Sequence, residues 1–294
     1  MSATPSVKRR ARVTTTSLAA MKAAGEPIVM VTAYDAPGAR LADAAGVDVI
    51  LVGDSLGMTV LGYDSTLPVT MDDMLRATAA VARGTTHALV VADMPFLSFQ
   101  VSPEDALRNA GRFLAEAGAV AVKIEGGAGV APLVEFLVGA GVPVIGHVGL
   151  TPQSVNVLGG YTVQGRDFDG AIALVEDCLE LEAAGAFAVV LELVPAELAV
   201  LVSEELAIPT IGIGAGAGCD GQVQVFHDIL GLGENTPRHA KRYAEIGEAI
   251  TKAIARYAAD VRAGTFPGEA QLTHMDVEVV AALDRALPLT DGEQ

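Results

Sequence analysis

The chain has 294 residues, of which 51% are hydrophobic and 4% aromatic, with a net charge of −17. Such a surface repels polyanions, which excludes nucleic acid and anionic membrane as natural partners. The length suits one (β/α)8 barrel of about 250 residues with extensions, expected here as a single domain over 1–294 with loose tails at about 1–12 and 288–294.

Along the chain, short runs rich in valine and isoleucine recur, each followed by a helical pattern. PIVMVTAY (27–34) precedes PGARLADAAG, and VDVILVGDS (47–55) precedes MDDMLRATAAVARG after a long loop. HALVVADM (87–94) leads into SPEDALRNAGRFLAEAG, and AVAVKIEGG (119–127) into VAPLVEFLVGAG. VPVIGHVG (142–149) leads through a longer loop to DGAIALVEDCLELEAAG, and AFAVVLEL (186–193) into PAELAVLVSEELA. IPTIGIGAG (208–216) runs into a glycine-rich loop, and QVQVFHDIL (222–230) precedes the last helical region, RHAKRYAEIGEAITKAIARYAADVRAG. Continuous apolar runs are what parallel strands buried on both faces require. Ser102-Pro103 reads as an N-cap with proline at the first helical position, and the Ala-Gly pairs at 117–118 and 184–185 as helix stops. Counted this way there are eight strand-plus-helix units. They argue for a closed (β/α)8 TIM barrel, with an open doubly wound sheet as the alternative.

Cys178 and Cys219 form neither a CxxC pair nor a disulfide framework, and no apolar segment follows the basic residues near the N-terminus. No run approaches the roughly 20 apolar residues of a membrane span. These features lead to the expectation of a soluble, cytoplasmic protein without a secretory signal.

In a barrel the reactive face lies at the C-terminal ends of the strands. There the second run delivers Asp54 and Ser55, the third Asp93, the fourth Lys123 and Glu125, the fifth His147 and the sixth Glu192. Each has an ordinary structural alternative. Asp54 suits an N-cap, Asp93 a turn, Lys123 and Glu125 an internal ion pair, and His147 a hydrogen-bonded core position. Together they place several carboxylates and one lysine in one partly desolvated cup, where a divalent cation is an economical counter-charge. An all-oxygen donor set suits Mg²⁺. Asp54 and Asp93 are the first candidate ligands and Glu125 the next. Lys123 would face a substrate carboxylate or developing enolate, and Glu192 would move a proton. The loop GIGAGAGCDGQ (212–222) reads either as a close backbone approach to a ligand or as a tight turn. It lacks the Lys-Ser/Thr of a P-loop.

GDSLGMTVLGYDSTLPVTMDDM (53–74), ADMPFLSFQ (92–100), VKIEGG (122–127), GHVGLTPQSVNVLGGYTVQGR (146–166) and IGIGAGAGCDGQV (211–223) resemble the ketopantoate hydroxymethyltransferase family. The resemblance implies a barrel of the phosphoenolpyruvate/pyruvate class. It implies transfer of a hydroxymethyl group from 5,10-methylenetetrahydrofolate to α-ketoisovalerate through a Mg²⁺-stabilised enolate, the first committed step of pantothenate synthesis. It also implies Asp54, Asp93 and Glu125 around Mg²⁺, with Asp54, Ser55, Asp93 and Lys123 on the keto acid. Glu192 would be the proton acceptor, His147 an auxiliary group, and the assembly a ring-like homo-oligomer, commonly a decamer. Phe99 stands where tyrosine is expected, Thr162 where lysine is common, and GEAQLTHMDVEVV (268–280) departs from the family's usual ending. Three rivals remain. They are a carbon–carbon lyase or phosphonomutase barrel, for which the Lys-Lys-Cys-Gly-His loop is missing, a Lys123 Schiff-base aldolase, and a barrel that only binds ligand.

Overall fold

The computed structural model describes residues 11–233 and 236–287. The loose tails expected at about 1–12 and 288–294 lie outside the described residues, except for Ala11 and Arg12. The chain divides into two compact units, residues 1–244 and 245–294.

In the first unit, β1 (Ile28–Thr32), β2 (Val49–Val52), β3 (Leu89–Asp93), β4 (Ala121–Glu125), β5 (Val144–Gly149), β6 (Ala188–Glu192), β7 (Thr210–Ile213) and β8 (Gly221–Gln224) close in sequence order. Every neighbouring pair is parallel, and β8 returns to β1 through Met30 opposite Val223. The open doubly wound sheet is thereby excluded. Six of the eight runs hold a strand nested inside the expected limits and leading to a helix. The last two differ. Between β7 and β8 there is no helix; residues 214–220 alone make the return. Residues 226–230, read as the end of a strand, form a helix of their own.

Helices α1 (Thr15–Ala24), α2 (Ala36–Ala45), α3 (Leu56–Thr59), α4 (Met71–Gly84), α5 (Pro103–Ala115), α6 (Ala131–Gly139), α7 (Val155–Leu158), α8 (Phe168–Ala183), α9 (Ala196–Glu205) and α10 (Phe226–Leu230) complete this unit. Ser102 caps α5 by accepting from the Asp105 N–H, with Pro103 at the first helical position, as the sequence predicts. Asp43, near the end of α2, accepts the backbone N–H groups of Thr86, His87 and Ala88 and so anchors the entry to β3.

Alternation along the strands sorts the side chains into two apolar clusters. Leu89, Val91, Ala121, Ile145, Ala188 and Val190 belong to the cluster that fills the barrel interior. Val90, Ala92, Val122, Ile124, Val189 and Leu191 point outward and join the helices in the larger one. The period of two then fixes what comes next. Asp93 follows Leu89 and Val91 on the inward face, Lys123 and Glu125 follow Ala121, His147 follows Ile145, and Glu192 follows Ala188 and Val190. Sheet register sets Asp93 beside Lys123, Glu125 beside His147, and Gly149 beside Glu192.

The glycine-rich loop is explained by packing. A β-carbon on Gly216 would stand 2.6 Å from that of Ala196, and one on Gly218 would collide with Val200, both on α9. The loop lies against that helix where a larger residue would not fit. Where no helix follows β7, the outer wall by β8 and β1 is left as a groove of about 930 Å³, lined by Lys22, Val29 and Gln222 among others.

The second unit carries α11 (Ile246–Arg262) and α12 (Val277–Ala286), neither with a buried residue. The sequence pattern makes the first of these part of the final helical region after the eighth run; it falls in the second compact unit. Among the described residues no helix is long and apolar enough to cross a membrane.

Candidate functional site

Asp54, Ser55, Asp93, Lys123, Glu125, His147 and Glu192 all line one cavity of about 690 Å³ at the C-terminal rim of the barrel. Gly53 packs closely at the entry, where a β-carbon would stand 2.8 Å from Ser55 Oγ. The turn that follows points the Asp54 N–H at Asp93 Oδ2, 3.1 Å away. On the far side, Gly149 adopts φ +87, and a β-carbon would collide with the Glu192 carbonyl. Leu150 N–H donates to that same carbonyl at 2.8 Å, so the β5 exit steadies Glu192 through its backbone.

A line of charge crosses the cup. Lys123 Nζ lies 3.2 Å from Asp93 Oδ1 and 2.8 Å from His147 Nδ1. His147 Nε2 lies 3.1 Å from Glu192 Oε2, close but off hydrogen-bond alignment, and its Nδ1 is 3.6 Å from Glu125 Oε1. An ammonium is donor only, so in neutral His147 the Nδ1 accepts and the proton sits on Nε2, facing Glu192. Asp54, Asp93, Lys123, Glu125 and His147 are all buried; Glu192 is the partly exposed member.

Burial and opposed charges set the protonation of the cup. Burial, then the Asp93 and Glu125 charges, push Asp54 well above the ordinary carboxylate range. Burial also raises Asp93, against the pull of Lys123. Burial alone would lower the Lys123 ammonium, yet the carboxylates of Asp93, Glu125, Asp54 and Glu192 hold it above its usual value. Burial works against ionised Glu125, but contacts with His147, Lys123 and the Gln153 N–H prevail and lower it. For His147, burial and Lys123 oppose a second proton while Glu125 and Glu192 favour one, and the balance lies above the ordinary imidazole value.

The buried Asp93 Oδ1 makes no hydrogen bond and has only the neighbouring ammonium for company. Oxygen donors on three adjacent strand ends, one of them unsatisfied, fit a hard cation. Among the described residues no three His, Cys, Asp or Glu side chains form a ready-made metal cage. A hard cation there would need water or substrate oxygens to complete its coordination, as Mg²⁺ commonly does.

Sequence reasoning missed several contributors. Gln153, in the loop after β5, reaches into the cup and donates to Asp54. Tyr34 shares a hydrogen bond with Ser55 at 2.9 Å and accepts one from Thr32, which in turn accepts from Phe226 N–H. Arg238 and His239 stand at the outer edge of the cavity. No periodicity marks such loop residues; only their polar character inside the quoted segments hinted at Gln153. The departures at Phe99 and Thr162 lie off the cavity lining, Phe99 in the core and Thr162 on the surface. Both cysteines are free, and burial pushes the Cys178 thiol up to about 12.

A closed parallel barrel with an acidic cup at its C-terminal rim defines an enzyme of the (β/α)8 class. Solved structures bear out the fold. A phosphonopyruvate hydrolase, crystallised with oxalate and Mg²⁺, has a TM-score of 0.58 at 15% identity, covering 94% of this chain and 99% of its own. 2,3-Dimethylmalate lyase, of the phosphoenolpyruvate mutase/isocitrate lyase superfamily, has 0.55 at 18% identity, over 92% and 98%. The model of the ketopantoate hydroxymethyltransferase family matches residues 12–269. A 3-methyl-2-oxobutanoate hydroxymethyltransferase from Chloroflexus aurantiacus is 58% identical over 92% of this chain and 97% of its own. One from Carboxydothermus hydrogenoformans is 56% identical over 92% and 98%. The chain belongs to the ketopantoate hydroxymethyltransferase family, and it is a hydroxymethyltransferase.

Proposed function

We propose that the cup transfers a hydroxymethyl group from 5,10-methylenetetrahydrofolate to C3 of α-ketoisovalerate, with Mg²⁺ held by Asp54, Asp93 and Glu125. The observation that carries this reading is the inward-facing row from Asp93 through Lys123 and His147 to Glu192. It sets a partly exposed carboxylate opposite an oxygen-lined pole, with a fixed cation between them.

Bound there, Mg²⁺ would supply Lewis-acid stabilisation for the negative charge that develops as the keto acid loses its C3 proton. The remaining work falls to the chain's own side chains. Ser55, held by Tyr34, orients the substrate carboxylate. Lys123 stays charged and faces the oxygens that gain charge. Glu192 takes the C3 proton through its cavity-facing carboxylate, with His147 Nε2 3.1 Å from its Oε2. A small keto acid fills only part of 690 Å³. The rest of the cavity leads outward past Met58 and Tyr161 to Arg238 and His239. It offers apolar and aromatic surface for a pterin and a cationic edge for the carboxylates of the folate's glutamate tail.

The absence of a membrane-spanning helix among the described residues and the free thiols support a cytoplasmic setting. Ile246, Ile250, Ile254, Tyr257 and Val261 share one exposed face of α11, which supports a homo-oligomer, with a decamer as the form the family resemblance suggests. Solution mass from light scattering tests the decamer.

Asp54→Ala and Asp93→Ala test the central reading. Each should abolish Mg²⁺-dependent formation of ketopantoate. Full activity in both variants would remove the metal assignment.

A further inference from the structure

We infer that Gln153 is a positioning residue for the divalent cation, clamping Asp54 and Glu125 so that each carboxylate keeps one oxygen free for the metal. The inference rests on the metal reading proposed above. Gln153 lies in the one-turn 3-10 helix Pro152–Ser154 after β5, and it is buried. Its Nε2 donates to Asp54 Oδ2 and to the Met94 carbonyl, both at 2.9 Å. Its backbone N–H donates to Glu125 Oε2, also at 2.9 Å. Its Oε1 accepts from Gln100 Nε2 at 3.4 Å. One residue therefore ties together the exits of β2, β3, β4 and β5.

The orientation of the amide follows from its partners. A carbonyl only accepts, so Met94 requires the nitrogen, not the oxygen, of Gln153 on that side. Both amide hydrogens are then committed, one to Met94 and one to Asp54, and Asp54 Oδ2 must act as acceptor. Each carboxylate thus has one oxygen occupied by Gln153. Gln153 leaves over Asp54 Oδ1 and Glu125 Oε1, the latter 3.6 Å from His147 Nδ1.

The residue type matters as much as the place. An amide donates without carrying charge, so it steadies two acids and adds nothing that repels a cation. A lysine or arginine here would compete with the metal, and a glutamate would add a further negative charge to the cup. Nor does an amide titrate, so the donors of Gln153 are the same at every working pH. Outer partners of this kind commonly change metal affinity by about 10- to 100-fold when removed.

The experiment is Mn²⁺ binding to the full chain, followed by electron paramagnetic resonance without keto acid or folate. The proteins are wild type, Asp54→Asn, Gln153→Met and Gln153→Asn, with the fold of each checked by circular dichroism. Gln153→Met removes both side-chain donors at similar volume, and Gln153→Asn withdraws the amide by one methylene should the first variant not fold. The inference expects Asp54→Asn to lose the site and each folded Gln153 variant to bind Mn²⁺ about 10- to 100-fold more weakly. Unchanged affinity in a folded Gln153 variant, with the site lost in Asp54→Asn, overturns the inference alone and leaves Gln153 a mere loop tether. A wild type that binds no Mn²⁺, or an Asp54→Asn protein that binds as wild type does, overturns the metal reading and the inference with it.

Discussion

Lys123 Nζ and His147 Nδ1 stand 2.8 Å apart at the centre of the cup, on neighbouring strands. The contact bears on two matters together. It selects the tautomer of neutral His147 whose Nε2–H faces Glu192, and it commits the Lys123 ammonium to a donor role. A lysine that surrounding carboxylates keep charged has no lone pair for attack on a carbonyl. The charged state argues against the Schiff-base aldolase reading of this residue.

Borohydride should consequently trap no α-ketoisovalerate on the protein, as read by intact mass. Lys123→Ala should also destabilise the metal-free protein by about 3–5 kcal/mol, since it leaves Asp93 buried without a counter-charge. Denaturant unfolding in EDTA measures this. A reduced adduct on Lys123, or an unchanged stability, contradicts the assignment.

A second prediction concerns acid stability and lies outside the cup. Burial opposes ionisation of Asp43, but the Thr86 hydroxyl and the N–H groups of Ala88, Thr86 and His87 outweigh it and hold its carboxyl far below the ordinary range. The folded value lies below the unfolded one. The stability it contributes is present above about pH 3.9 and is lost as pH falls from there toward the folded value. Asp43→Asn should lower stability at pH 7 by about 2 kcal/mol and narrow its gap from wild type as the solution is acidified. A gap independent of pH between neutrality and pH 3 would contradict this.

At the outer edge of the cavity, Arg238→Ala should raise KM for the folate donor and leave KM for the keto acid unchanged. An exposed charge pair contributes up to about 1 kcal/mol, so the increase should be at most about fivefold and should shrink with added salt. Steady-state kinetics with mono- and polyglutamylated donors checks it, the longer tail showing the larger effect. Equal KM values for both proteins would show that the tail runs elsewhere.

Much of the barrel was legible because its strands obey two simple rules. A strand buried on both faces reads as an apolar run, and side chains two apart share a face. Val91 and Asp93, or Val190 and Glu192, illustrate both rules in a few residues. Their placement in one cavity follows once the sheet closes. Neither rule applies to a loop. Gln153, Tyr34 and Arg238 reach the site by tertiary folding, and no local pattern announces them. The direct return from β7 to β8 was hidden for a related reason. The glycines there answer to α9, which lies earlier in the chain, and their spacing says nothing of that neighbour. Residues 226–230 form a helix rather than the end of a strand, and a short apolar stretch fits either element equally well.

The most direct test of the account is deuterium exchange at C3 of α-ketoisovalerate, followed by NMR in heavy water without folate. The account predicts exchange by the wild type with Mg²⁺, none in EDTA, and a rate about 10²–10⁴-fold lower for Glu192→Gln. Exchange by Glu192→Gln at the wild-type rate would contradict it and move the base to another residue of the cup.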